Sequence, residues 1–523
     1  MTKKYIITPR RAEKQDNHEF LDTAPKETIC LITPPSPFLL DERVFMHIGI
    51  LKVASTLEQR GHTVDFLDLS GIENFLQVIK DYCLSTKTKI FGLTASTPQI
   101  PFAVQIANTL KELSSSYKTI LGGPHVTLMH TASKRETKKG LHISNRATRD
   151  AQELGSIFDV LVCGDGETTI FDALEKESGI IDGDDRKSPY FLNNKKFSEL
   201  PLPARHLVDV DSYKYTIEGR KSVSLIAQLG CPFQCTFCSG RNSPFLRNIR
   251  QRTSDSIVNE MRILYETYGF TGFMFYDDEL NVNKELVTLL NKISDLQNNL
   301  GEEFRLRGFV KAELFNDEQA AAMYRAGFRW LLTGFESGDE RILTNIKKRA
   351  SRADNTRAVE IAKRHNLKVK ALMSIGHAGE SHQTIENTKN WILEVEPEEF
   401  DCTIITTYPG SPYFDDAVRS GDHYVYTSDL TGDKLYQTSL NYLSELDYYK
   451  GDPNGGYISY VWTDHISPSE LVAARDILEK EVRQKLNIPF NNARAAAKYD
   501  HSMGMGNIQI PSHILRSTEK KIK

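Results

Sequence analysis

Cysteine is scarce, with seven in 523 residues. So low a count excludes the disulfide framework of a small secreted domain and points to a reducing compartment. No apolar run approaches the roughly 18 residues that cross a bilayer, so no membrane span is expected. No charged-then-apolar leader opens the chain, and a soluble cytoplasmic protein is the expectation. An excess of charge is missing too: 65 Lys and Arg stand against 69 Asp and Glu, a net −4. Without a basic footprint no nucleic-acid partner is expected. No repeat occurs beyond an alternation of short apolar strands and amphipathic helices.

That alternation comes in two series. Residues 1–26 are polar and aperiodic, an N-terminal arm. Over 27–176, strands are expected at 28–33, 63–68, 89–94, 118–122 and 159–163. A helix over 48–60 ends at Gly61. Strands alternating with helices predict an α/β domain with a doubly wound, Rossmann-like parallel sheet. Within it, 130–156 is polar and basic and reads as an inserted solvated loop or helix. Residues 177–221, rich in Gly, Asp, Asn and Pro, read as a linker. Over 222–412, strands are expected at 222–228, 272–276, 304–310, 329–333, 367–374 and 401–407. Six strand–helix units predict a partial (βα)6 barrel, with chemistry at the carboxyl ends of its strands. Residues 413–523 read as a mainly helical or irregular cap over the substrate. Their clearest helix opens on a capping box, Ser467 to Glu470.

Three of the seven cysteines lie together in "LGCPFQCTFCSGR", 229–241, just after the first barrel strand. Structural zinc takes four ligands, and no fourth Cys or His follows Cys231, Cys235 and Cys238 at suitable spacing. Three thiolates on a cubane iron–sulfur cluster leave one iron open to a substrate. Phe237 can shield such a cluster from water. Buried structural cysteines are the bland alternative, but the C-x3-C-x2-C spacing is specific.

"CPFQCTFC" resembles the cluster motif of the radical S-adenosylmethionine (SAM) enzymes. The resemblance, over roughly 222–412, implies a [4Fe-4S] cluster on the three cysteines, with SAM chelated by the open iron. An electron from the cluster then frees a 5′-deoxyadenosyl radical. "FMFYDDELN" (273–281) resembles the segment that binds the SAM amino group, with Asp277, Asp278 and Glu279 as candidates. Carboxylates suit an ammonium; capping of a helix over 283–297 is the other reading. "LTGFESGDERIL" (332–343) places Glu336 and Ser337 near the ribose and methionine parts. "SIGHAGES" (374–381) resembles a Gly-rich turn and offers Ser374; the family commonly has Pro where His377 or Ala378 stands. "TYPGSPYFD" (407–415) resembles the turn after the sixth strand. Arg305 and Arg307 alternate with apolar residues, so they reach SAM or substrate, or form an ion pair inside the barrel.

Four segments end strands of the first series: "CLITPPSP" (30–37), "GLTAST" (92–97), "LGGPHVT" (121–127) and "VCGDGETTI" (162–170). Together they resemble the cobalamin-binding domain of the B12-dependent radical SAM enzymes. The cofactor-binding candidates are Thr94, Ser96, Gly122, Gly123, Pro124, His125, Gly164 and Glu167. Gly122 and Gly123 would let a bulky ligand approach the backbone. His125 either lines the corrin or is a satisfied strand-end histidine. The Asp-x-His-x-x-Gly motif of other B12 proteins is absent: Phe45 stands two residues before His47. The resemblance therefore implies cobalamin without a histidine on cobalt.

The expected activity is methyl transfer to an unactivated carbon, through a 5′-deoxyadenosyl radical and methylcobalamin. Alternatives are a cyclase or ring rearrangement, methylation at phosphorus, and methylthiolation with a second cluster on Cys30, Cys83 and Cys163. A cobalamin sensor or scaffold is the non-enzymatic reading. Partners implied are a small-molecule or peptide substrate and an external electron donor of flavodoxin or ferredoxin type. No residue is assigned to proton or hydrogen transfer.

Overall fold

A computed structural model describes residues 27–36, 39, 42–139, 146–446, 448, 458–489, 510 and 514–519. The N-terminal arm lies outside the described residues. The first sheet contains β1 (Thr28–Thr33), β2 (Thr63–Asp68), β3 (Ile90–Thr94), β4 (Lys118–Gly122), β5 (Val160–Cys163) and β6 (Gly179–Asp182). Its helices are α1 (Ile48–Gln59), α2 (Phe75–Ser85), α3 (Ile100–Leu113), α4 (Pro124–Lys139), α5 (Arg146–Ile157) and α6 (Gly166–Glu175). These six strands pair in parallel in the order β2-β1-β3-β4-β5-β6. The unbroken apolar run of β1 has a physical reason. Ile29 and Leu31 join one core, while Cys30 and Ile32 join another on the opposite face. A parallel sheet is covered on both faces, so alternation in hydrophobicity disappears.

Two expectations needed revision here. β6 falls inside the segment read as a linker and extends the first sheet; four residues are too few to show a period. Residues 130–156, expected as a solvated loop or helix, are helical over much of their length, in α4 and α5, but packed on each other and on distant chain rather than solvated. Met129, Ala132 and Ala147 are buried with Phe414, Leu440, Tyr442 and Tyr448. The Arg146 guanidinium lies 3.6 Å from the Phe414 ring centroid and 4.0 Å from that of Tyr424, a desolvated cation–π sandwich.

The second sheet starts with β7 (Thr216–Ile217) and β8 (Arg220–Leu225). A short antiparallel pair follows, β9 (Gln228–Leu229) with β10 (Arg250–Gln251). Then come β11 (Gly272–Phe275), β12 (Arg305–Phe309), β13 (Phe328–Glu336), β14 (Lys368–Ile375) and β15 (Glu399–Ile404). The order β15-β14-β13-β12-β11-β8-β7 is sequential, with β8 and β11 to β15 parallel. Ile217, Met274 and Leu332 come from β7, β11 and β13, which are not neighbours, yet share one cluster together with Leu372 of β14. The sheet therefore curls around an interior, as a partial (βα)6 barrel does. Its outer face carries the largest core.

The C-terminal region holds more strand than its irregular sequence suggests. β16 (Val418–Ser420), β17 (His423–Thr427), β18 (Lys434–Thr438) and β19 (Val461–Trp462) form an antiparallel sheet. The helix Pro468–Leu486 begins at the expected Ser467 capping box. It covers the β15 edge, where Glu479 accepts the Cys402 N–H at 2.7 Å, which removes an exposed sheet edge. Finally β20 (Leu515–Ser517) returns to pair antiparallel with β2. Among the described residues no helix is long and apolar enough to cross a membrane.

Candidate cluster, SAM and cobalamin site

The cysteine loop leaves the carboxyl end of β8. Gly230 is obligatory there: at φ +91°, a Cβ would stand 2.0 Å from the Asn248 carbonyl oxygen. The Cys231 N–H donates to Leu246 O at 3.1 Å, and the Thr236 N–H to Ile346 O at 2.9 Å. Cys235 is buried, Cys231 and Cys238 partly so. The thiols share one field, since burial first, then Cys235 and Cys231, push Cys238 up to about 12 against the pull of Arg241. Arg241 also holds the loop, donating from Nη1 to the carbonyls of Cys231 (2.6 Å) and Phe233 (2.5 Å). Among the described residues no trio of His, Cys, Asp or Glu is gathered as a single-ion site. Three converging thiols steadied by a guanidinium suit an anionic iron–sulfur cluster.

The three acids after β11 divide. Asp277 accepts the N–H groups of Ala227 (3.3 Å) and Gln228. Asp278 accepts that of Gly230 at 2.8 Å. These two fasten β11 to the cysteine loop. None of the three caps the next helix, Leu286–Leu300, whose N-cap is Glu285. The Glu279 carboxylate has no hydrogen-bond partner among the described residues. Burial lifts it to about 7, partly countered by Lys348 and Lys311. Glu279 is thus the acid left for an ammonium.

Glu336 ends β13 at φ +67°, a left-handed conformation that costs energy in a non-glycine residue and clusters at functional sites. One carboxylate oxygen meets Lys348 Nζ at 3.2 Å, and the other accepts from Ser374 Oγ at 2.7 Å. Ser374 Oγ is 2.8 Å from His377 Nε2. Burial lowers His377 to about 4, so it is neutral at pH 7. The non-proline turn is held by Glu380, which accepts the N–H groups of Gly376 (3.0 Å) and His377 (3.4 Å). The Phe237 ring packs 5.3 Å from that of His377. Ser337 is engaged by the chain itself: its hydroxyl bonds Thr388 at 2.9 Å and accepts the Asp339 N–H at 3.1 Å.

The buried cations carried no spacing signal. Burial opposes the charge of Lys348, yet Glu336, Cys235 and Glu279 hold its pKa above the ordinary lysine range. Lys311 pairs with Glu313 at 2.7 Å and lies 4.2 Å from the Phe233 ring centroid. Lys348 therefore joins the cluster loop to the carboxylates of the SAM site.

In the first sheet the order 2-1-3 puts the topological switch between β1 and β3, where such sheets bind ligands. Gln99 spans it, donating to Pro34 O (3.2 Å) and Ser36 Oγ (2.8 Å). Thr94, Ser96, Gly122, Pro124 and His125 collect on the β3 and β4 ends beside it. Ser96 forms a capping box with Gln99. Gly123 serves the chain's own packing: at φ +100°, a Cβ would lie 2.7 Å from Thr94 Oγ1 and 2.8 Å from Ala95 N. At Gly122 the nearest atom would be 3.8 Å away, ordinary contact. His125 is buried and lowered by desolvation to about 3. Its Nδ1 lies 3.1 Å from Thr97 Oγ1, while Nε2 has no partner among the described residues. Such an unsatisfied buried nitrogen is costly, and at the rim of the switch it fits a cofactor hydrogen bond. Gly164 and Glu167 stand apart. Gly164 permits contact with Gly183, and Glu167 pairs with Lys52 at 3.0 Å.

One feature of this rim was not visible in the sequence. Asp165, just past β5, receives Arg250 Nη1 at 2.5 and 2.6 Å, both groups buried. Asp184, just past β6, accepts from Ser243 Oγ (2.5 Å) and the Phe245 N–H (2.8 Å). Ser243 to Arg250 follow the cysteine loop directly. The two sheets are thus bolted together at their carboxyl ends.

The radical SAM superfamily matches residues 225–392, and the B12 binding domain matches residues 43–149. An uncharacterized methyltransferase of Pyrococcus horikoshii is 26% identical over 407 residues, 75% of this chain and 83% of that protein. The anaerobic magnesium-protoporphyrin IX monomethyl ester cyclase of Rubrivivax gelatinosus is 22% identical over 380 residues, 69% of this chain and 64% of its own length. In fold, the chain is similar to the radical SAM methyltransferase TsrM from Kitasatospora setae, solved with tryptophan and a SAM analogue. The TM-score is 0.61 at 15% identity, covering 87% of this chain and 89% of that one.

Three thiols at the mouth of a partial barrel, with Glu279 in the field of Cys231, and the match over 225–392 define a radical SAM enzyme. The sheet bolted above them narrows the class further. The chain belongs to the cobalamin-dependent radical SAM enzymes, with a B12 binding domain ahead of the radical SAM core.

Proposed function

We propose that the enzyme transfers a methyl group from SAM to an unactivated carbon of its substrate. The observation that carries this reading is the pair of bolts, Asp165–Arg250 and Asp184–Ser243. They hold the cobalamin rim of the first sheet against the chain that follows the cluster cysteines, so one substrate can meet both cofactors. When bound, the cluster supplies the electron that cleaves SAM, and cobalamin supplies a methyl-carrying cobalt.

The protein's own work is to bind, orient and exclude water. Cys231, Cys235 and Cys238 hold the iron, and Arg241 offsets their charge. Glu279 takes the SAM ammonium. Lys348, oriented by Glu336, faces its carboxylate, and Ser374 fixes Glu336 in turn. Phe237 and His377 close the cluster against solvent. Thr94, Ser96, Gly122 and the free Nε2 of His125 hold cobalamin. In domain terms, 27–176 with β6 serves cobalamin, 222–412 serves SAM, and 413–523 covers the substrate. An external flavodoxin- or ferredoxin-type donor and a cytoplasmic setting complete the reading.

SAM labelled in its methyl group tests it. With the true substrate, the label should enter product, and S-adenosylhomocysteine and 5′-deoxyadenosine should accumulate together. Deuterium at the reacting carbon should appear in 5′-deoxyadenosine. Formation of 5′-deoxyadenosine alone, with unlabelled product, would instead establish a cyclase or rearrangement, the activity named for one relative.

A further inference from the structure

The barrel interior contains a cation, Arg307, without a counter-ion among the described residues. The inward face of β12 presents Arg305, Arg307 and Phe309, partly accessible, while Leu306 and Gly308 are buried behind them. Most inward cations nearby are paired. Arg305 meets Glu218 (3.5 Å) and Glu303 (3.1 Å), Lys370 meets Glu399 (3.0 Å) and Asp401 (2.6 Å), and Lys368 meets Glu218 (2.7 Å). Arg307 has no carboxylate among the described residues; its guanidinium lies 5.9 Å from the Trp330 ring centroid, and its Nε is buried without a hydrogen bond. The buried Tyr215 hydroxyl lies beside it, a neutral hydrogen-bond partner that leaves the charge of Arg307 unmatched. A partly buried guanidinium with only neutral partners among the described residues is costly unless an anion accepts from it.

Aromatic rings line the way from Arg307 to the mouth. Phe45, from the loop before α1, packs 4.8 Å from Tyr215 and 5.3 Å from Tyr276. Tyr276 lies 6.4 Å from Phe309 and is 49% exposed at the top of β11. Met274, Leu332 and Leu372 complete the apolar wall. The cation is too deep for SAM itself. Arg307 is level with Met274 in the β11–β12 register, and Glu279 lies five residues beyond Met274. β11 ends at Phe275, so Glu279 belongs to the chain beyond the strand end, whereas Arg307 lies within the strand layer.

We infer that the substrate is a flat, largely apolar molecule with an anionic group, a carboxylate or phosphate, seated on Arg307 and Tyr215. Its reacting carbon sits at the opposite end, among Tyr276 and Phe309 below SAM. This rests on the radical SAM reading of the barrel mouth, and it holds whether the product is methylated or cyclised.

Binding without turnover separates the two questions. Holoenzyme carrying cluster, cobalamin and SAM, with no reductant, is dialysed to equilibrium against 2-naphthoate, 2-naphthyl phosphate and neutral 2-naphthamide. At least one anion should bind about tenfold or more tightly than the amide, the range of a charge-assisted hydrogen bond. Arg307→Gln should erase the difference, Arg307→Lys should restore part of it, and Tyr215→Phe should reduce it, all with unchanged iron and cobalamin content. If Arg307→Gln does not fold, Arg307→Lys and Tyr215→Phe carry the same comparison. Equal binding of anions and amide, no binding of any probe, or an anion preference that survives these variants overturns the assignment. None of these outcomes depends on where the SAM methyl goes.

Discussion

The two parallel sheets place their ligands by different means. At the barrel mouth the site is made of charged side chains that answer one another: three thiols with Arg241, Lys348 with Glu336, and Glu279 in their field. On the first sheet the rim beside the switch is made of small residues, hydroxyls and close backbone contacts, its buried His125 is neutral, and its charged pair Asp165–Arg250 is used in the junction between the sheets. The difference follows the cargo. A redox-active cluster and a zwitterionic amino acid need charge and fixed donors, whereas a large macrocycle of little net charge needs a surface it can lie against.

The largest effect should come from the charged half. Replacing Cys231, Cys235 or Cys238 by Ala removes a cluster ligand, so iron content should fall and 5′-deoxyadenosine formation should drop to background. Cys30→Ala or Cys163→Ala, both in the apolar core of the first sheet, should leave iron unchanged. Loss of a second cluster on those replacements would restore the methylthiolation reading. Next in size is the junction between the halves. Asp165→Asn strands a fully buried Arg250 without its counter-ion, at a cost of about 3–5 kcal/mol. Thermal unfolding should shift down accordingly, and apolar replacement of both partners should recover much of the loss. No shift would mean that the two sheets are held by their apolar contacts alone. The smallest effect tests the uncharged half. Gly123→Ala forces a Cβ into Thr94 and Ala95 at positive φ, a strain of about 1–3 kcal/mol. It should weaken cobalamin retention, while Gly122→Ala should fall within about 0.5 kcal/mol of the parent. Equal behaviour of the two would show that ligand space, not chain packing, selects both glycines.

The same contrast explains what could be read in advance. Cysteine spacing is covalent and local, so the cluster loop is visible in the residues themselves. β1 to β5 match their apolar runs to within a residue at each end, because strands such as β1, β3 and β5 are buried on both faces; in the second sheet β12 and β15 alternate instead. Asp277 and Asp278 look like ligands or caps, yet they accept backbone N–H groups some 50 residues upstream, a pairing that only the folded barrel creates. Lys311, Lys348 and Arg241 stand among ordinary basic residues and show no period or motif. The strands β6 and β16 to β19 span two to five residues each, too short for alternation to register. Residues 130–156 mislead for another reason: their polar groups are used internally, as where Glu136 accepts the N–H groups of Ala147 (3.2 Å) and Thr148 (2.9 Å).

The pairing of β20 with β2 sets a schedule for synthesis. The Val64 N–H meets the Thr518 hydroxyl at 2.7 Å, across 454 residues of chain. At about 5–20 residues per second, the ribosome needs roughly 20–90 s to make the stretch between them. For that interval the outer edge of β2 faces solvent with its amides and carbonyls unmatched, a template for any passing strand. The sheet made first is therefore the last to be finished, and the half of the enzyme that carries cobalamin is the half most in need of a chaperone while the rest is still being translated.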